Sequence, residues 1–221
     1  LQARIEKRFS NSFTFQASYT YSKFMEAISY LNAADPMPEE VISDQDFPHR
    51  LAASGIWELP LGRGKQWLNN RGLAERILGG WQVQGVYQAQ SGQALGFGNA
   101  LVPGNLDAAA LPGGERSVER WFDTSLFERN ASQQLAFNVR TLSSRFSHIR
   151  RAGINNWDIS VIKNMHLKER VRLQFRGEFL NAFNHAMFAN PNTSPVSTAF
   201  GTVTSENGYP RRIQLGLKMV F

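Results

Sequence analysis

The stretch that decides the fold is "VRLQFRGEF" at 171–179, in which apolar and polar side chains alternate. Its odd-numbered residues, from Val171 to Phe179, are apolar or glycine, and its even-numbered residues are Arg, Gln, Arg and Glu. Successive side chains of a β-strand point to opposite sides, so strict alternation of this length is typical of a strand with two unlike faces. The segment therefore predicts a strand that separates an apolar environment from a polar one.

The same pattern, with the apolar residues at odd positions, recurs along the chain and predicts about seven strands. The other clear segments are 13–23, 81–90 and 212–221, and the weaker ones are 1–9, 50–59 and 157–165. An all-β, antiparallel fold follows from these segments.

The predicted connections are short and long in alternation. Tight turns are expected at 10–12 and around Lys168 and Glu169, whereas long connections are expected at 24–48, 91–155 and 184–209. Outer-membrane barrels combine short periplasmic turns with long extracellular loops, so the alternation predicts a transmembrane β-barrel segment with long extracellular loops. The connection at 60–80 is longer than a periplasmic turn should be, and we expect a short helix in it near 72–78.

Composition excludes several classes of protein and site. The 221 residues contain no apolar run of the ~18 residues that a transmembrane helix needs, whereas a transmembrane strand needs only about 9–11, half of them polar. The chain has no cysteine, which excludes disulfides, thiolate catalysis and cysteine-ligated zinc. The net charge of +6 is not gathered into a basic block, and no nucleic-acid partner is predicted.

The apolar face could meet either acyl chains or a second sheet of a soluble sandwich. Charges on this face lie near predicted strand ends, at Lys7, Lys23, Lys163 and Arg211, where long side chains can reach a membrane interface. Large aromatic side chains also collect near the ends, and we predict two membrane girdles. The predicted girdle residues are Phe13, Trp57 and Trp81 on the periplasmic side and Tyr19, Tyr21 and Trp157 on the outer side.

The last eight residues resemble the C-terminal signal by which outer-membrane barrels are recognised for assembly. That signal has a polar residue, a glycine, an apolar residue and a final aromatic residue at fixed spacing. Gln214, Gly216, Met219 and Phe221 fill these four positions. The barrel-assembly machinery is therefore a predicted partner, which would bind the last strand by adding a strand at its edge.

The wider sequence resembles the C-terminal barrel portion of TonB-dependent outer-membrane transporters of the Oar-like branch. The matching stretches are "FPHRLAASGIWELPLGRG" (47–64), "GGWQVQGVYQAQSGQAL" (79–95), "WFDTSLF" (121–127), "NNWDISVIKNMHLKERVRLQFRGEFLNAFNHAMFANPN" (155–192) and "PRRIQLGLKMVF" (210–221). The resemblance implies a barrel of about 22 strands. Residues 1–221 would form roughly its last third, without the plug and N-terminal domains. It also implies outer-membrane lipid as the surroundings and energised uptake through the TonB system, which the missing N-terminal part would contact.

The chain offers no predicted catalytic, cofactor or metal site, and we expect no enzymatic activity. His49 lies near Asp44 and Asp46 in an acidic loop, but the spacing fits no ligand motif, and a solvated loop is favoured over a Ca²⁺ site. Ser147 is adjacent to His148 without a nucleophile motif around it. The predicted function is ligand uptake by an outer-membrane receptor. The alternatives are an Oar-like surface or adhesion protein that transports nothing, and a soluble β-sandwich binding module.

Overall fold

The computed structural model describes residues 1–69, 72–134, 139–168 and 171–221, and this part of the chain is dominated by β-strands. One short helix, α1 (Leu73–Leu78), lies between two of the strands. In chain order the strands are β1 (Gln2–Ser10), β2 (Phe13–Tyr21), β3 (Met25–Glu26), β4 (Val41–Ile42), β5 (His49–Glu58), β6 (Trp81–Gln90), β7 (Ala94–Leu95), β8 (Phe146–Arg150), β9 (Ile154–Lys168), β10 (Val171–Leu180) and β11 (Arg212–Val220).

The seven long strands form one antiparallel sheet in the order β1-β2-β5-β6-β9-β10-β11. Each long strand pairs with the long strands before and after it in the chain, so the predicted up-and-down arrangement is confirmed. β1 and β11 are the two edges, and the sheet is open rather than closed in the described residues. The remaining short strands form two separate pairs, β3 with β4 and β7 with β8, inside connections that the sequence predicted as loops.

The register of the sheet keeps odd-numbered residues opposite odd-numbered residues in every pair of long strands. Phe15 lies opposite Gly55, which lies opposite Gly85, which lies opposite Ile159. Register shifts occur at Ser10 and between Val171 and Arg172, which are both at strand ends. All seven odd faces therefore form one continuous surface, hereafter the odd face, and the polar residues form the even face.

The connections at one end of the sheet follow the prediction. Asn11 and Ser12 form a two-residue turn between β1 and β2, and both have positive φ angles, of 52° and 66°. The predicted turn around Lys168 and Glu169 lies partly outside the described residues. Lys168 itself ends β9, opposite Val171. β9 is longer than the predicted 157–165, because its pairing with β6 continues through a polar stretch that interrupts the alternation.

Helix α1 confirms the short helix predicted near 72–78, and its C-terminal end is held by side chains of the sheet. The Lys163 ammonium donates hydrogen bonds to the carbonyl oxygens of Arg76 at 2.8 Å and Ile77 at 3.0 Å. The Trp81 indole N–H also donates to the Ile77 oxygen, at 2.9 Å. These donors satisfy carbonyl groups that the end of a helix leaves without partners inside the helix.

The buried apolar side chains of the described residues lie almost entirely outside the sheet. Among them, Ile162 is the one that belongs to a long strand. Phe15, Val83 and Phe175 on the odd face are only partly buried, and Leu217 is 69% exposed. The described residues contain no second large sheet that could cover the odd face, as a sandwich would require.

Candidate functional site

The odd face carries one aromatic group at the end of the sheet that contains the Asn11–Ser12 turn. Phe13 at the start of β2 lies directly opposite Trp57 at the end of β5. Trp81 opens β6 at the same end, opposite Lys163. The structure therefore places Phe13, Trp57 and Trp81 together at the turn end of the sheet.

The second aromatic group lies at the opposite end of the same face. The Tyr19 hydroxyl and His49 Nδ1 are 2.7 Å apart, and the Tyr21 and His49 rings are 5.2 Å apart between centroids. Trp157 stacks on Tyr87 with centroids 4.4 Å apart. Tyr19, Tyr21 and Trp157 thus lie together at this end with two aromatic partners, Tyr87 and His49, and His49 was weighed in the sequence only as a metal ligand.

Charged residues on the odd face bond to backbone oxygens near strand ends. The Lys7 ammonium lies 3.0 Å from the Ser10 carbonyl oxygen and 4.9 Å from the centre of the Phe13 ring. Lys163 is 6% exposed, because α1 covers it. The long side chain of Lys163 was expected to extend to the membrane interface. Instead, its ammonium group donates hydrogen bonds to carbonyl oxygens of α1. An apolar face can therefore contain this ammonium without leaving it unpaired.

The even face contains a shallow cleft of about 380 Å³. It lies over β1, β2 and β5 and is lined mainly by even-numbered side chains. The residues that define it are Arg4, Gln16, Ser18, Ala52 and Ser54. Its lining combines these polar side chains with alanines and Val86.

The arginines of the last two strands lie farther along the even face. Arg176 forms an ion pair with Glu178 on its own strand, at 3.2 Å, and the Arg212 guanidinium lies 4.9 Å from the centre of the Tyr209 ring. The described residues have no ion pair between β10 and β11. The reason is geometric: Glu178 lies opposite Gln214, and Arg176 lies opposite Gly216.

The four residues of the C-terminal signal lie on the edge strand or directly after it. β11 pairs with β10 on one side, through residues that include Gln214, Gly216 and Met219. The other side of β11 has no neighbouring strand in the described residues. Met219 is 50% exposed and Phe221 is 89% exposed. The arrangement presents a backbone edge and an uncovered aromatic ring together.

The three long connections at the end opposite the Asn11–Ser12 turn pack into one body, hereafter the cap. The cap comprises residues 22–48, 91–153 and 181–211 as far as the structure describes them. Its buried core is formed by Leu95, Phe97, Ala100, Leu106, Ala109, Trp121, Phe122, Phe127, Ile149, Phe200 and Val203. These residues come from two of the connections, so two of the predicted long loops share one packed core.

Four phenylalanines form the centre of the cap. Phe97 lies 4.9 Å from Phe122 and 4.7 Å from Phe127, and Phe200 lies 5.2 Å from Phe122 and 4.9 Å from Phe127, between ring centroids. Most of these contacts are tilted or edge-to-face, which is a favourable geometry for aromatic pairs. Residues 121–127 were noted in the sequence only as a stretch that resembles the transporter family. Clustered aromatic residues in a polar loop were the signal that could have revealed a core.

Two arginines of residues 91–153 form ion pairs with carboxylates of residues 22–48. Arg150 forms an ion pair of 2.6 Å with Asp46, whose side chain is fully buried, and Arg145 forms one with Glu26. Asp46 also accepts a hydrogen bond of 2.7 Å from the Phe24 backbone N–H. Buried charges require such partners, so these contacts fix residues 22–48 in place.

Glu39 makes a further contact between the same two connections. It accepts hydrogen bonds from the Ser143 hydroxyl at 2.6 Å and from the Ser144 backbone N–H at 3.0 Å. Burial acts to raise the pKa of Glu39, but these hydrogen bonds and the nearby Arg145 charge outweigh it and hold the pKa below its ordinary value. The folded cap therefore favours the ionised carboxylate.

The acidic loop is thus a structural segment, with Glu26, Glu39 and Asp46 bound to groups elsewhere in the cap. Asp35 accepts a hydrogen bond of 2.7 Å from the Asn32 backbone. Within the described ranges, no three His, Cys, Asp or Glu side chains converge as metal ligands would. The predicted preference for a solvated loop missed the arginines and serines that contact these carboxylates.

Comparison with known families identifies the class of this fold. The model of the outer membrane beta barrel domain family matches residues 1–214. The chain belongs to this family, and its seven-stranded sheet is a segment of an outer-membrane β-barrel. The protein is located in the outer membrane of the cell.

Searches of curated proteins and of solved structures found no match. Among the described residues, no helix has both the length and the apolar character needed to cross a membrane.

Proposed function

We propose that this chain is the C-terminal portion of a TonB-dependent, Oar-like outer-membrane receptor that takes up a bulky ligand. The observation that carries the proposal is the folded cap at one end of a sheet whose even face is polar. The ligand would first meet the cap on the cell surface and then pass along the even face. The five stretches that resemble the transporter family support this reading over a simple pore.

The odd face would meet the acyl chains, and the two aromatic groups would lie at the two membrane interfaces. This orientation is supported by the single apolar surface that seven strands share and by the exposure of residues such as Leu217. The cap would then be extracellular, and the Asn11–Ser12 turn and Phe221 would be periplasmic. Further strands would complete the open edges of the sheet.

The last strand would be the element that the barrel-assembly machinery binds. Its free edge and the exposed Phe221 ring support this role. We expect Phe221→Ala to reduce strongly the amount of assembled barrel, measured by heat-modifiable gel mobility of outer-membrane fractions. Leu217→Ala is the matched control, because Leu217 is also an exposed apolar residue of the odd face but lies outside the signal. Equal assembly of the two variants would count against the assignment.

Uptake would require energy delivered through an N-terminal part that contacts the TonB system. The test uses cells that produce the whole outer-membrane protein carrying this chain, or lack it. The cells are given labelled oligosaccharides and peptides too large for passive diffusion, with and without a protonophore. We expect cell-associated label that depends on the protein and becomes protected from external washing only when the proton gradient is intact.

The alternative is an Oar-like surface or adhesion protein. It is favoured by the internal pairing of the cap, whose Arg145 and Arg150 are already bound to Glu26 and Asp46. This alternative predicts that the label binds to the cells, is removed by external washing, and binds equally with and without the protonophore. Both functions require outer-membrane lipid as surroundings, and neither includes a catalytic step, a cofactor or a nucleic acid.

A further inference from the structure

The odd face has a groove of about 260 Å³ near the middle of the sheet. Its floor is the pair Gly55 and Gly85, which lie directly opposite each other on β5 and β6. Phe15 closes one end of this row and Ile159 lies at the other. Because these two facing residues have no side chains, a gap remains between the Trp57 and Val83 side chains and the Tyr87 and Trp157 side chains.

The backbone angles do not require glycine at these two positions, although a side chain at Gly55 would crowd the neighbouring strand. Neither residue is among those with a positive φ angle. A Cβ atom on Gly85 would meet nothing within 4 Å, and one on Gly55 would meet the Thr14 carbonyl oxygen at 3.2 Å. Glycine in a strand costs stability because it is flexible and packs no side chain. At Gly85 the visible effect of having no side chain is open space.

Aromatic side chains form the walls of the groove. Trp57 and Val83 lie on the side toward the Asn11–Ser12 turn, and Tyr87 with the stacked Trp157 lies on the other. Among the described residues, none of the side chains that line the groove is charged. Gly85 is also central in β6, at the depth of hydrocarbon rather than of headgroups if the odd face meets lipid. The lining therefore fits a hydrocarbon chain and offers no site for a charged headgroup.

We propose that the groove binds one acyl chain of a membrane lipid, held across Gly55 and Gly85 between the two aromatic walls. The proposal rests on the orientation given under the proposed function, in which the odd face meets the bilayer. A chain seated there would bury apolar surface against rings on both sides, which neighbouring chains on a flat surface cannot do. The occupant is a lipid of the surrounding bilayer, because this groove is continuous with the surface that faces it.

The test uses the whole protein in vesicles of phosphatidylethanolamine, with a variable fraction of the same lipid carrying bromine at mid-chain. Bromine quenches tryptophan fluorescence at contact, and the contribution of Trp157 is obtained by subtracting the signal of Trp157→Phe. We expect quenching of Trp157 to exceed the value set by the brominated fraction of the bulk lipid, because the groove retains a chain. Gly85→Leu fills the groove and should remove this excess.

Ala89→Leu is the matched control, because it adds the same bulk to the same face of the same strand outside the groove. It should leave the excess unchanged. Assembly of each variant is checked by heat-modifiable mobility. If Gly85→Leu does not assemble, Gly85→Ala replaces it and should remove part of the excess.

Three results would overturn the inference in distinguishable ways. Quenching that follows the bulk fraction equally in the native protein and in the variants would mean that no chain is retained. Absence of quenching would mean that the odd face does not meet lipid, which refutes the orientation itself. An oligomer of the native protein that Gly85→Leu dissociates would mean that a second copy occupies the groove.

Discussion

The cap and the sheet differ in how they remove apolar side chains from water. The cap gathers its phenylalanines into a core in which Phe122 is fully buried, as a water-soluble protein does. The sheet leaves Leu215 68% exposed and Leu217 69% exposed, and its two faces differ sharply in polarity. Ile28 and Met37 show that the cap also has exposed apolar side chains, but it buries a core, whereas the apolar side chains of the sheet lie on one face that a bilayer can surround.

The difference teaches where each region obtains its stability. The cap depends on contacts that its own side chains make, so its stability should respond to core substitutions in the way of a globular domain. The sheet depends on its backbone ladder and on the lipid, so substitutions there should matter according to the face on which they fall. Four predictions test this division, from the largest expected effect to the smallest.

Truncation of the cap core should have the largest effect. Phe122→Ala removes a ring that contacts Phe97 and Phe200, and we expect the local free energy of unfolding of the cap to fall by about 3–5 kcal/mol. Hydrogen exchange of cap amides measures the loss. Phe175→Ala on the odd face is the control and should leave cap exchange unchanged. An equal increase in hydrogen exchange of the cap amides in both variants would contradict the proposal that the cap and the sheet are stabilised separately.

Breaking the buried ion pair should come next. Arg150→Ala leaves the fully buried Asp46 without its cation, and we expect the attachment of residues 22–48 to weaken by about 3 kcal/mol. Limited proteolysis of intact cells measures the exposure of this segment. Arg120→Ala removes an ion pair with Asp123 whose arginine side chain is 56% exposed, and it should change little. Equal cleavage of the two variants would contradict the role of Asp46.

A charge should be costly on one face of the sheet and tolerated on the other. Val83→Arg places a guanidinium on the odd face, and we expect assembly to lose up to about 2–4 kcal/mol, the cost of a cation near the middle of the bilayer. The adjacent Gln84→Arg puts the same group on the even face and should be nearly neutral. Folding titrations into lipid vesicles compare the two. A reversed order would assign lipid to the even face.

Acidification should loosen the cap by the smallest amount. Because the folded cap lowers the pKa of Glu39, its stabilising contribution is complete well above the ordinary glutamate range and is lost as the pH falls through the lowered pKa. Hydrogen exchange of residues 143–145 at neutral and acidic pH measures the change. Glu39→Gln should reduce the pH dependence, whereas Glu40→Gln, at an exposed neighbour, should not. Identical pH profiles for all three proteins would rule out Glu39 as the titrating group.

The strands could be predicted from the sequence because their information is local. A strand such as β10 repeats every two residues, from Val171 to Phe179, and the bilayer requires that alternation along the whole strand. The same rule placed the aromatic groups, since Phe13 and Tyr21 open and close one strand. The ends of β9 were missed because pairing with β6 extends it to Ile154 and pairing with β10 extends it to Lys168.

The cap could not be predicted because its contacts join residues that are far apart in the chain, and no periodic sequence pattern marks those residues. Asp46 and Arg150 are 104 residues apart, and Glu26 and Arg145 are 119 residues apart. Nothing in the local pattern around Phe97 or Phe200 indicates that their rings meet the same neighbours. The groove was missed for another reason: Gly85 fits the alternation as a small residue, and its significance appears only when Gly55 is placed beside it.

In the long strands, odd-numbered residues pair with odd-numbered residues throughout the sheet. This register determines where residues can be inserted or deleted. An insertion of one residue in the middle of β6 would turn every later odd-numbered side chain of that strand to the opposite side, and the mismatch would pass to β9 through their shared ladder. Between Ser91 and Gly153 an added residue changes no such pairing in the long strands. Length variation among proteins of this kind should therefore collect in the outward-projecting connections, while the membrane-spanning portions keep a constant count.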